Sequence, residues 1–295
     1  MTMSILGSWA GQSQNIVTRS CSAPSLPLYS SSCLRFLGAT RIRQARALIL
    51  TSHSAQPLAL RNMEFPIANS YSSSSRPDYS EIVVVRHGET AWNADGRIQG
   101  HLDVELNEAG REQAAAVADR LSKEPKVSVV YSSDLQRAFE TAQIIATRCG
   151  GLEVVKDPEL RERHLGDLQG LVYREVAKIN PKAHQALLSH NSNQEIPGGG
   201  ESLVQLYDRC TSALQRIGKK HKGKRVVVVT HGGVIRSLYK RACPNGKSAG
   251  KVLNTSVNIF HLYEDKWTLK AWGDVSHLKQ TRYLQSGFGG DRTSG

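Results

Sequence analysis

The runs Ile82-Val83-Val84-Val85 and Val226-Val227-Val228-Val229 are apolar and β-branched throughout, and each ends in a polar turn holding histidine and glycine. Such residues favour extended backbone, and short apolar runs of this kind read as buried strands. Between and after them the hydrophobic period keeps changing. Asn107 caps a predicted helix carrying Ala114, Val117, Ala118 and Leu121 on one face. Val127–Tyr131 and Leu152–Val155 read as further strands, separated by a helix bearing Leu135, Phe139, Ala142 and Ile145, for which Ser133 and Gln136 make a capping-box signal. Helical pieces are expected at Tyr173–Ile179 and Lys182–Ser189. Ser202 and Gln205 open a strongly amphipathic helix with Leu206, Cys210, Leu214 and Ile217 facing inward, and another helix starts at Gly232. Ser256–Tyr263 and Trp267–Trp272, joined by Glu264-Asp265-Lys266, form a hairpin pattern, with both tryptophans filling its core. Strands alternating with helices predict an α/β fold, a three-layer α/β/α sandwich with a mostly parallel sheet, over residues 78–280.

Residues 1–77 do not share this pattern. They are rich in Ser and hold seven Arg against one acid, Glu64, which accounts for +6 of the chain's formal +12. Acid depletion with Arg and Ser enrichment reads as a transit peptide for a chloroplast or mitochondrion. A plain extension is the alternative, and a start at Met63 would give a cytosolic protein. Residues 281–295 read as a tail. With half the excess charge in this leader, the basic balance is no signature of nucleic-acid binding. No apolar run reaches the roughly eighteen residues of a membrane span. The five cysteines, Cys21, Cys33, Cys149, Cys210 and Cys243, are odd in number and lack zinc spacing, so neither a disulfide framework nor a metal site is expected.

In open α/β sheets ligands collect beyond the carboxyl ends of the strands. The two valine-rich strands deliver Arg86-His87-Gly88-Glu89-Thr90 and Thr230-His231-Gly232-Gly233 there. Two imidazoles brought to one sheet edge favour a site over two structural histidines. Arg86 beside His87 fits a phosphate better than a metal, because a cation opposes metal binding while it neutralises phosphate oxygens and favours the neutral, nucleophilic imidazole. Glycine after each histidine would let the backbone approach the ligand. Arg137, at a strand-to-helix turn, adds a cation, and Glu162 is a carboxylate flanked by Arg161 and Arg163. Taken singly, either reads as a surface residue. His101, His164, His184, His190, His221, His261 and His277 share no spacing and read as surface or packing residues, and Lys219-Lys220-His221-Lys222 as a solvated helix end.

An ordered set of motifs runs through the domain. It comprises Arg86-His87-Gly88-Glu89-Thr90-Ala91-Trp92-Asn93, Gly96-Arg97-Ile98-Gln99-Gly100, Leu106-Asn107-Glu108-Ala109-Gly110, Tyr131-Ser132-Ser133-Asp134-Leu135-Gln136-Arg137-Ala138, Leu160-Arg161-Glu162-Arg163, Pro197-Gly198-Gly199-Gly200-Glu201-Ser202 and Thr230-His231-Gly232-Gly233. Over residues 80–275 this set resembles the histidine phosphatase superfamily, also called the phosphoglycerate mutase-like family, and within it the plant phosphoglycerate mutase-like proteins of the phosphatase branch. The resemblance implies that His87 is the nucleophile, that Arg86, Arg137 and His231 form the phosphate pocket, and that Glu162 serves as acid and then as base. It implies Asn93, Thr90, Gln99, Gly100 and Gly232 on the substrate side, and no metal or dissociable cofactor. The partner would be a small phosphorylated metabolite, with neither nucleic acid nor membrane expected. Oligomeric state is not legible.

Hydrolysis and phosphoryl shuttling would use the same residues. Family mutases carry an adjacent arginine pair in the segment over the site; between Glu162 and Pro197 this chain has none. The expected activity is therefore a metal-independent phosphatase, with a phosphoglycerate mutase or a non-catalytic phospho-ligand sensor as alternatives.

Overall fold

The computed structural model describes residues 78–278. The leader and tail read above, with Met63, Cys21 and Cys33, lie outside the described residues. Six strands form one sheet: β1 (Ser80–Arg86), β2 (Val129–Ser132), β3 (Val154–Lys156), β4 (Arg225–Thr230), β5 (Val257–Tyr263) and β6 (Lys266–Asp274), in the order β3-β2-β4-β1-β5-β6. The first four are parallel neighbours, and β5 and β6 add the antiparallel hairpin at one side. The helices are α1 (Ala91–Ala94), α2 (Glu108–Ser122), α3 (Gln136–Arg148), α4 (Val176–Ile179), α5 (Pro181–Leu187), α6 (Leu203–Lys220) and α7 (Gly232–Ala242).

Alternation along the strands separates two cores. Val83, Val85, Val227 and Val229 face α2 and α3, meeting Val117, Ala118, Leu121, Ala138, Ala142 and Ile145. Ile82, Val84, Val226 and Val228 face α6 and α7, meeting Leu206, Cys210, Leu214, Ile217, Val234 and Leu238. Polar residues on either face of β1 or β4 would thus be buried, which is why these strands are apolar without a break. Each fully buried valine contributes about 1.5–3 kcal/mol, an upper bound because the unfolded chain is partly compact. The expected three-layer sandwich is the observed one.

Helix starts follow local chemistry where the cap is local. The Asn107 side chain accepts from the Gly110 amide (2.8 Å) at α2, and Ser202 with Gln205 forms the expected capping box at α6. At α3 the expectation fails. Its N-cap is Leu135, which makes no side-chain cap bond, and the Gln136 amide donates instead to Asp103 Oδ1 (2.6 Å) from a distant loop. β2 and β3 also begin two residues later than their apolar patterns suggest, because Val127 and Leu152 lie before the paired register.

Residues 163–200 form a segment with its own small core of Leu165, Leu168, Val176, Ala183 and Ile196, closed by Ile98 from the loop after α1. An isolated bridge, Arg97 to Val172, ties that loop to the segment.

Candidate active site

The parallel register pairs Arg86 with Thr230, so the next residue of each strand, His87 and His231, emerges at the same edge. Their rings lie 5.1 Å apart between centroids, tilted by 57°. Nδ1 of His87 is 2.7 Å from the Gly88 carbonyl oxygen. A carbonyl only accepts, so Nδ1 carries the proton and Nε2 holds a lone pair. Burial, then the charges of Arg137 and Arg86, hold the His87 imidazole well below its usual pKa and therefore neutral.

His231 is lowered in the same way, first by burial, then by Arg137 and His87. Its Nε2 lies 2.9 Å from the hydroxyl of Ser133, which itself accepts from the Leu135 amide (3.3 Å). Ser133, read from sequence as a helix cap, thus belongs to the site. A histidine partner on a strand remote in sequence left no local signal for that role.

Arg86 and Arg137 are fully buried. Arg86 donates to the Val252 carbonyl (2.5 Å), and Arg137, on the first turn of α3, to the carbonyls of Leu102 (2.9 Å) and Gly100 (2.7 Å). Burial pushes Arg137 down to about 10, which leaves it charged at neutral pH. Its surface reading is corrected: the guanidinium lies in the interior, held by two loop carbonyls.

Glu162 is 1% exposed, so its surface reading is corrected as well. Its carboxyl accepts from the Arg163 amide (2.9 Å) and from the Gly233 amide at the start of α7 (3.1 Å). Burial raises its pKa against the opposing pull of those amides and of Arg137, a shift toward the protonated form. A bidentate pair between Arg161 and Asp134 (2.6 and 2.7 Å) ties its loop to the turn carrying Arg137.

The residues expected on the substrate side differ in what they have left to offer. Thr90 is spent: its hydroxyl accepts from the Asn93 amide (3.0 Å) and donates to Gln99 Oε1 (3.1 Å). Gln99 is buried beside it, and Gly100 contributes its carbonyl to Arg137. Gly232 opens α7 after His231. Asn93 accepts through Oδ1 from Asn254 (3.3 Å), while its Nδ2 has no hydrogen-bond partner among the described residues. The same holds for Nε of Arg137 and Nδ1 of His231. Leaving a buried donor such as Asn93 Nδ2 or Arg137 Nε unpaired costs about 1–3 kcal/mol, a cost that acceptor atoms of a ligand would relieve.

Gly88 packs tightly against the backbone of α2. A Cβ there would stand 2.4 Å from the Gly110 carbonyl oxygen, and one on Gly110 would stand 2.0 Å from that of Glu89. The two glycines serve close backbone contact between the His87 loop and α2.

Sequence reasoning missed the loop before β5. Asn254 donates to the His87 carbonyl (3.0 Å), and the Thr255 amide donates to that of Arg86 (3.0 Å). Thr255 does so at φ +54°, a conformation that β-branched residues rarely adopt. His101 and His164 follow the packing alternative of their reading: their rings meet edge to face at 4.8 Å, and His101 Nε2 donates to the Glu162 carbonyl (2.6 Å). Among the described residues no group of three His, Cys, Asp or Glu side chains could hold a metal ion, and no helix is long and apolar enough to cross a membrane.

Residues 82–275 match the family model described as "Histidine phosphatase superfamily (branch 1)". The chain is 71% identical to phosphoglycerate mutase-like protein 4 of Arabidopsis thaliana, over 74% of this chain and 95% of that protein. It is 55% identical to the metal-independent phosphoserine phosphatase of the same plant, over 72% and 90%. Among solved structures, the phosphoserine phosphatase of Entamoeba histolytica in complex with 3-phosphoglyceric acid superposes with a TM-score of 0.59 at 27% identity, over 68% of this chain and 99% of that one.

Proposed function

The chain belongs to the histidine phosphatase superfamily and is a phosphomonoester hydrolase, and on that footing we propose that His87 takes up the phosphoryl group and Glu162 handles the proton. The observation that carries this reading is the neutral, buried His87 with its proton held on Nδ1 by Gly88, with the His231 ring 5.1 Å away between centroids.

The Nε2 lone pair attacks phosphorus, the N–P bond forms and the ester P–O bond breaks. The Glu162 carboxyl gives its proton to the departing oxygen, so an alcohol leaves rather than an alkoxide. Arg86, Arg137, His231 and Asn93 take the non-bridging oxygens, where fixed donors in a dry site are most effective. The imidazole, now bonded at both nitrogens, becomes cationic, and the Gly88 carbonyl stabilises its Nδ1–H. The Glu162 carboxylate then removes a proton from water, whose oxygen attacks phosphorus as the N–P bond breaks. Inorganic phosphate leaves, and both groups return to their starting states. The charges in this sequence are met by side chains and by the Gly88 carbonyl, so no metal step is invoked.

The substrate we assign is a small phosphomonoester, with phosphoserine and phosphoglycerates first, since the relatives act on or bind them. The absence of an arginine pair between Glu162 and Pro197 favours hydrolysis over shuttling. The test is phosphate release from a phosphomonoester panel in EDTA, for the wild type and His87→Ala. Release by the wild type alone is expected. Loss of release in EDTA with rescue by a divalent ion would overturn the metal-free reaction, and exchange between phosphoglycerates without release would indicate a mutase.

A further inference from the structure

Arg209, on α6, has a guanidinium with five N–H donors, and five acceptors surround it. Nε and Nη2 form a fork on the Glu201 carboxylate (2.6 and 2.8 Å). Nη1 donates to the carbonyls of Glu159 and Arg161 (2.8 Å each), and Nη2 donates to that of Glu162 (2.8 Å). One side chain therefore fastens three backbone carbonyls in the segment that ends on the proton-handling carboxyl.

Glu201 is more than a counter-ion. Its Oε2 also accepts from the His164 amide (2.8 Å), and its own carbonyl accepts from Arg163 Nε (2.9 Å). The ion pair thus grips the chain on both sides of Glu162. The two side chains are only 16% and 20% exposed. Burial opposes ionisation of Glu201, yet the Arg209 fork and the His164 amide outweigh it and keep the carboxyl below its usual pKa, so the pair is charged. His101 donates to the Glu162 carbonyl as well, which fills both lone pairs of that oxygen.

We propose that Arg209 and Glu201 are positioning residues for the acid. By fixing the backbone from Glu159 to Glu162 they hold the Glu162 carboxyl on the Gly233 amide, in line with the leaving oxygen. A lysine has three donors and no planar fork, so it can keep the charge without reproducing the geometry. This rests on the assignment of Glu162 as proton donor.

The test compares kcat/KM, which reports the phosphorylation half-reaction, for phosphoserine and for para-nitrophenyl phosphate. The aryl leaving group is weakly basic and needs little protonation; the alkyl one needs a proton in the transition state. Misplacing a catalytic group by about an ångström costs on the order of 100-fold. For full-length Arg209→Ala we therefore expect a loss near that size on phosphoserine and only a few-fold loss on the aryl ester, as for Glu162→Gln. Arg209→Lys and Glu201→Gln, which keep most of the packing, should show the same asymmetry at smaller amplitude, and they carry the test if Arg209→Ala does not fold. Equal losses on both esters, or none, in the folded variants would overturn the proposal while leaving Glu162 in place if Glu162→Gln remains asymmetric. A symmetric loss in Glu162→Gln itself would overturn both.

Discussion

The side-chain amide of Asn254 donates at once to the carbonyl of His87 (3.0 Å) and to Oδ1 of Asn93 (3.3 Å), joining the backbone of the proposed nucleophile to a side chain of the proposed phosphate pocket. Asn254→Ala should leave the fold intact, because the residue belongs to neither core, and lower kcat/KM by about 10- to 100-fold through loss of alignment. Steady-state kinetics beside a thermal melt checks this; full activity would mean that β1 alone aligns His87.

Gly110→Ala is expected to damage stability and activity together. The added Cβ would stand 2.0 Å from the Glu89 carbonyl, a backbone atom in the His87 loop that cannot swing aside. Overpacking of this kind costs about 1–3 kcal/mol. Urea unfolding should register it, and an unchanged midpoint would show that the loop shifts without cost.

Much of this arrangement is legible in the sequence, and most of the illegible part shares one physical character. Side-chain patterns reveal the valine strands, and parallel pairing of β1 with β4 then brings His87 to His231. Arg86, Arg137 and Glu162 came from motifs. Apart from Ser133, whose hydroxyl meets His231, what escaped works on backbone: Asn254 and Arg209 hold carbonyls, and Asp103 caps α3 from another loop. Every residue has a carbonyl, so no residue type marks the acceptor, and the donor's partner depends on tertiary approach. His101 and His164 escaped because neither shares a periodic element with Glu162.

The pH dependence of kcat/KM should be bell-shaped, with limbs displaced from ordinary values. The acid limb marks protonation of His87, moved below the usual histidine range by burial and by Arg137 and Arg86. The alkaline limb marks deprotonation of Glu162, moved above the usual carboxylate range by burial. With phosphoserine, Glu162→Gln should remove the alkaline limb. Its persistence in that variant would assign the limb to another group.

Stability should also fall on acidification, in part through His277, whose Nε2 contacts Thr255 (3.1 Å). Burial and then Arg120 push this imidazole down to about 4, against 6.5 in the unfolded chain, with Asp274 and Glu124 opposing. Between those values the unfolded state binds the extra proton, so the contribution is complete above pH 6.5 and is lost as pH falls toward 4. His277→Gln should lose less of its urea midpoint than the wild type between pH 7 and pH 5, and an identical loss would remove His277 from the account.

The most direct test of the central claim is to mix the enzyme with radiolabelled phosphoserine, quench within one turnover, and map the label. An N–P bond survives alkali and is lost in acid, unlike a phosphoserine or an acyl phosphate. Alkali-stable, acid-labile label on the peptide containing His87, absent from His87→Ala, is the predicted result. Turnover with no label, or label on any other residue, would contradict the phosphohistidine route.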